Sequence, residues 1–219
     1  MLETFRRFLM RKAKLALLAF LSTVITVGGV YATWTFAEGG VANATTQVNV
    51  GMTGVNATTE KGTLSVKVMG TGGFSLAVDD ANNDHKPDIK KEGVVTVTFT
   101  PSANASDDIK EHGIDVHCII SYAPYTGGPA TLEEWKYPVG TGVQMFNILN
   151  TASAPIELPR SEATNNNGVF TWTIPAANVG ITLTDDFMAT TIDTLAEYTA
   201  VNDELSKGHF VLTVSEHTN

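Results

Sequence analysis

Cysteine is almost absent from this chain of 219 residues: Cys118 is the only copy, so no intramolecular disulfide can form and the fold must rest on a packed core. The usual catalytic signatures are missing too. There is no G-x-S-x-G elbow to activate a serine, no phosphate-cradling P-loop, no dinucleotide fingerprint and no H-E-x-x-H helix to hold zinc. Basic residues are few and gathered at the front, where Arg6, Arg7, Arg11, Lys12 and Lys14 precede a long apolar run. Beyond Ala32 only nine basic residues face 22 acidic ones, a net charge near −13 against −9 for the whole chain. So acidic a body repels phosphate backbones, which excludes nucleic acid as its partner and suits a soluble extracellular protein or one that gathers divalent cations.

What is present begins with Leu15 to Val30, 16 residues whose only polar members are Ser22, Thr23 and Thr26. A positive leader, an apolar stretch and then small residues at Val30-x-Ala32 make a secretory signal with cleavage after Ala32. The competing reading is a retained membrane anchor, for which a run of about 20 apolar residues is needed. Cleavage leaves a body of 187 residues, 33–219, long enough for one domain with a real core, no stable membrane span and a signal peptidase as a transient partner.

The apolar run closes on Gly28-Gly29-Val30-Tyr31-Ala32 and is followed at once by Thr33-Trp34-Thr35-Phe36, and Gly62-Thr63-Leu64-Ser65-Val66 lies downstream. These stretches resemble the signal region and the first strand of the TasA/camelysin family, secreted proteins of Gram-positive bacteria. The resemblance implies a fibre or surface-layer role and transfers no catalytic residue. Members of that family have been labelled metalloproteases, and this sequence supplies no local zinc motif for the label. His112 and His117 are five apart, wrong for one helical face, so zinc would require distant histidines to meet in space.

Most of the body alternates with period two. Leu64 to Val68 and Phe74 to Val78 read as a hairpin across a glycine-rich turn, and Val95, Val97 and Phe99 share one face of a strand that Pro101 stops. Ser102 to Glu111 is polar, a loop or short helix. Ile114 to Tyr122 is almost wholly apolar, as expected of a central strand buried on both faces. Val143 to Leu149, Ile156 to Leu158, Val169 to Ile174 and Phe210 to Val214 complete the strands. Ile192, Leu195, Tyr198, Val201 and Leu205 recur at three and four, the pattern of an amphipathic helix. About eight or nine strands at short spacing with one late helix predict a mainly β fold, an antiparallel jelly-roll-like sandwich.

Asp80, Asn82, Asp84 and Asp88 place oxygen donors at alternate positions of a tight turn, a pattern that can converge on calcium. His85 stands where such loops favour glycine, and the same residues also make an ordinary hairpin turn. Trp34, Trp135 and Trp172 are candidates for a sugar-stacking platform; the alternating neighbours of Trp172 favour the core, and Trp135 in its proline-containing loop stays open. Apolar neighbours mark Cys118 as a small buried hydrophobe, with His117 on the opposite face of the strand. Acidic pairs such as Asp107-Asp108 and Asp185-Asp186 are too common here to single out a catalytic dyad.

The alternation near the start of the body also suits the first strand of a self-contained monomer; the family resemblance implies instead a non-enzymatic, secreted subunit at the cell surface that assembles with itself. In that reading residues 33–52 act as a donor strand, with Trp34, Phe36, Val48 and Val50 filling the core of the next copy. The alternative is a calcium-dependent adhesin or carbohydrate-binding module.

Overall fold

The structure, a computed structural model, describes residues 48–68, 73–80, 82, 84–138 and 140–217. Its strands are β1 (Val48–Asn49), β2 (Gly51–Val55), β3 (Ala57–Thr58), β4 (Gly62–Lys67), β5 (Ser75–Asp79), β6 (Asp88–Glu92), β7 (Val94–Pro101), β8 (Val116–Pro124), β9 (Lys136–Tyr137), β10 (Val143–Gln144), β11 (Phe146–Ile148), β12 (Ile156–Leu158), β13 (Thr164–Asn166), β14 (Val169–Pro175), β15 (Ile181–Leu183) and β16 (Gly208–Glu216). Helices α1 (Asp107–His112), α2 (Asp185–Met188) and α3 (Leu195–Leu205) lie between them. The protein is thus mainly β, with several antiparallel sheets.

A four-stranded sheet has the order β12-β8-β16-β2, and a five-stranded sheet the order β13-β14-β7-β4-β3. In the first, β8 and β16 are antiparallel along their whole length, from Gly208 opposite Pro124 to Glu216 opposite Val116. In the second, β7 sits between β14 and β4, and its Val95, Val97 and Phe99 are completely buried, as the alternation predicts. Val116, Cys118, Phe210, Leu212 and Val214 from one sheet join Leu64, Val97, Phe99, Phe170 and Trp172 from the other in a single buried cluster.

Two expectations need correction. Leu64–Val68 and Phe74–Val78 do not form a hairpin: β4 pairs with β3 and β7, whereas β5 pairs with β1 and β6. Val68 and Phe74 are both buried, and the Phe74 N–H donates to the Val68 carbonyl (2.7 Å) where the chain passes from one sheet to the other. The second correction concerns β8, which is central but buried on one face only. Val116, Cys118 and Ile120 point inward, while His117 and Ile119 are half-buried and Ser121 is exposed. Its near-continuous apolar composition reflects tolerance on the outer face.

Helix α3 forms where the three-and-four spacing predicts it. Thr194 caps it, its hydroxyl accepting the Glu197 N–H while the Glu197 carboxylate accepts the Thr194 N–H, a reciprocal capping box. Val201 and Leu205 are buried, and Leu195 faces solvent. The acidic pairs also have local work: Asp107 and Asp108 open α1 and Asp185 and Asp186 open α2, where negative charge complements unpaired N–H groups.

Trp135 is fully enclosed. Its ring lies 5.0 Å from Tyr122, 4.9 Å from Phe146 and 5.7 Å from Phe210, and its Nε1 donates to the Glu204 carbonyl (2.7 Å). It therefore ties the end of α3 to the inner face of β16. Trp135→Ala removes a large buried ring and the indole donor to the Glu204 carbonyl, which also accepts the Lys207 N–H (3.1 Å), and is expected to cost about 3–5 kcal/mol, to be read as a fall in the urea midpoint at unchanged slope.

Candidate functional site

The segment from Val48 to Val55 stands at the edges of two sheets at once. β1 pairs with β5, with Val48 opposite Val78, and the Val50 N–H donates to the Leu76 carbonyl (2.9 Å). β2 then runs parallel to β16, with Met52 opposite Phe210. Alternation turns Val48, Val50 and Met52 inward, where their exposures are 4%, 0% and 1%, and leaves Thr53 to Val55 outside. Gly54 permits the close pass over β4, since a Cβ there would lie 2.7 Å from the Val66 side chain. Val48 and Val50 thus fill the core of their own chain in this structure. Trp34 and Phe36, the other two residues expected in a donor strand, lie outside the described residues, as does the stretch expected to be a secretory signal. Among the described residues no helix is long and apolar enough to cross a membrane.

The turn from Asp80 to Asp88 joins β5 to β6 and is closed by its own hydrogen bonds. Asp80 is buried, and its two carboxylate oxygens accept the N–H groups of Asp84 (2.9 Å) and His85 (3.2 Å). Asp84 accepts the Lys86 N–H (3.1 Å), and the Asn82 amide donates to Asp88 (2.9 Å). His85 takes the left-handed backbone conformation, φ 63°, that favours glycine at this position in calcium loops. Its carbonyl accepts the Ile192 N–H (2.8 Å), which anchors the turn to the chain just before α3. The residues predicted as calcium ligands therefore meet in one turn, where oxygens of all three aspartates accept hydrogen bonds from within it.

A different group brings metal-binding atoms together. His117 on β8 stands directly opposite Glu157 on β12, and His217 follows β16 with its N–H donated to the Asp115 carbonyl (2.9 Å). His117 Nε2 is 2.5 Å from Glu157 Oε2, His217 Nδ1 is 3.6 Å from the same oxygen, and the ring centroids are 3.8 Å apart. One nitrogen or oxygen from each residue lies within 4.8 Å of the other two. No local spacing announces this trio. Only the register of β12, β8 and β16, which puts His117, Glu157 and the end of β16 side by side on the outward face, assembles it.

Among the described residues no stacking platform forms, and Trp34 lies outside them. Trp172 is buried and its Nε1 donates to the Pro159 carbonyl (2.9 Å), and Trp135 is sealed in the core. Cys118 is completely buried on the inner face of β8, and burial pushes its thiol up to about 12, so the thiolate that would react is suppressed.

Cys118 is accordingly expected to resist a thiol reagent at pH 8 in the native protein and to react at the free-thiol rate in denaturant. Asp80→Ala strips acceptors from two turn N–H groups and is expected to lower stability by about 1–3 kcal/mol, measured by chemical denaturation without added metal. Comparison with protein-family models, with curated proteins and with solved structures finds no match.

Proposed function

We propose that the protein is a secreted structural subunit that builds extracellular fibres or a surface layer by passing its N-terminal strand segment into a neighbouring copy. The observation that carries this reading is the placement of Val48–Val55: it lies at sheet edges, close to the start of the exported body, and buries three side chains. A terminal edge element of that kind can be exchanged between identical chains with every contact regained, because the neighbour offers the same slots and the same backbone partners. The parallel pairing of β2 with β16 favours the same reading. Among the antiparallel sheets it is a junction whose strand order survives if β2 comes from another molecule.

In this reading the body is a jelly-roll-like sandwich of the four- and five-stranded sheets, supported by their shared buried cluster. Removal of the export segment frees residues 33–52 to move, and Trp34 and Phe36 add apolar anchors at the leading end. The acidic body keeps unassembled copies apart. The rival reading, a calcium-dependent carbohydrate-binding module, calls for an exposed aromatic beside the Asp80 turn, and both described tryptophans are buried.

The mature protein, starting at Thr33, is expected to give filaments by negative-stain microscopy, and a form lacking residues 33–50 is expected to give none. A synthetic peptide spanning residues 33–55 should bind the truncated form and raise its melting temperature. Filaments as abundant in the truncated form as in the intact one, or no response to the peptide, would overturn the donor role.

A further inference from the structure

We infer that His117, Glu157 and His217 form a binding site for a borderline divalent transition metal, zinc above all, on the outer face of the four-stranded sheet. The donor set is two imidazole nitrogens and one carboxylate oxygen, which suits zinc and copper(II); calcium takes six to eight oxygens and finds one carboxylate here. Tetrahedral zinc with bonds near 2.05 Å holds its ligand atoms about 3.3 Å apart. The separations of 2.5 and 3.6 Å from Glu157 lie on either side of that value, and all three ligand atoms lie within 4.8 Å of one another, so an ion requires a rearrangement of up to about 1.5 Å, shared between the imidazoles and a Glu157 side chain that is 58% exposed.

The state of His117 points the same way. Its Nε2 is enclosed by protein and makes no hydrogen bond of acceptable geometry, although Glu157 Oε2 is in close contact. A buried nitrogen pressed against a carboxylate oxygen without a well-directed hydrogen is an arrangement that a shared cation satisfies.

The surroundings narrow the ligand set. Glu216 is held by Lys61, and the Asp115 carboxylate accepts the Arg160 backbone N–H (2.7 Å), so these two neighbouring acids are already engaged. His217 also lines an open hollow of about 290 Å³ together with Asp115, Glu216 and Lys61, and the Glu157 side chain is exposed, so an ion can reach the group from solvent. A bound ion would staple three strands, holding the last residues of β16 to β8 and β12. The assignment is independent of the fibre proposal, since its residues lie apart from the N-terminal segment.

The test is calorimetric titration of zinc chloride into metal-free mature protein without a polyhistidine tag, beside Glu157→Gln and His217→Asn. One zinc per chain is expected, with a higher melting temperature, cobalt(II) absorption of tetrahedral strength, and affinity weakened more than about tenfold in each variant. Both substituted side chains are partly exposed, so the variants should keep the parent's circular dichroism and metal-free melting temperature. Asp84→Asn, in the turn between β5 and β6, should bind zinc as the parent does. Absence of saturable binding, equal binding of calcium, or undiminished zinc affinity in either variant would overturn the assignment.

Discussion

The antiparallel pairing of β8 with β16 is the constraint on which the rest depends. Nine residue pairs in unbroken register fix which side chains face inward, and a slip of β8 by one residue would turn Val116, Cys118 and Ile120 out to water and His117 into the core. That register also sets the neighbours. β12 docks on the outer edge of β8 with Ile156 opposite Cys118, and β2 docks on the outer edge of β16 with Met52 opposite Phe210. Trp135 then closes the inner face by packing on Phe210 and binding the last turn of α3. The core, the outward metal-binding trio and the N-terminal slot are three consequences of one strand pairing.

The slot has an energetic meaning. Full burial of a valine or methionine side chain is worth about 1.5–3 kcal/mol, and three such side chains stand at the head of the described chain. A domain of this size has a net stability of about 5–15 kcal/mol, so an empty slot would be a large fraction of the whole and would expose unpaired edges of β5 and β16. Such a slot must be filled, by the chain's own segment or by a neighbour's. Tethering gives the chain's own segment the advantage of high effective concentration. The neighbour's segment prevails only if it brings contacts the intramolecular arrangement lacks, which is the part that Trp34 and Phe36 would play.

The sequence made the strands legible wherever alternation ran long. β7, β14 and β16 and the helix from Leu195 are plain, because Val95-Val97-Phe99, Phe170-Trp172-Ile174 and Phe210-Leu212-Val214 each define one buried face. β6 was hidden, since Asp88-Ile89-Lys90-Lys91-Glu92 carries a single apolar residue and owes its extended form to its pairing with β5. The supposed hairpin between Leu64 and Val78 misled for a related reason: two apolar strands joined by glycines look alike whether they pair or part, and the choice is made by distant partners. Trp135 was ambiguous because a short 3₁₀ turn at Leu132–Glu134 gives no periodicity to show that the next residue turns inward. The Asp80 turn was legible as a turn, and its left-handed His85 and the two N–H groups on Asp80 explain the run of small polar residues without reference to an ion.

Metal ligands illustrate where such reading stops. Spacing rules detect ligands that share a helix or a loop, because the local geometry is then fixed by the chain itself. His117, Glu157 and His217 sit on or beside three strands, and their proximity exists only once register is set. The same alternation that sends Cys118 into the core, where its thiol is inert, sends His117 outward beside an exposed carboxylate. A shift of one residue in β8 would exchange these positions and lose both the packed core and the imidazole pair. The acidic surface draws cations of every kind toward the molecule, but attraction does not select. Selection follows from ligand chemistry: nitrogen donors held by a rigid sheet favour a small borderline ion over calcium, and that preference, unlike the charge, is set by the strand pairing at the centre of the fold.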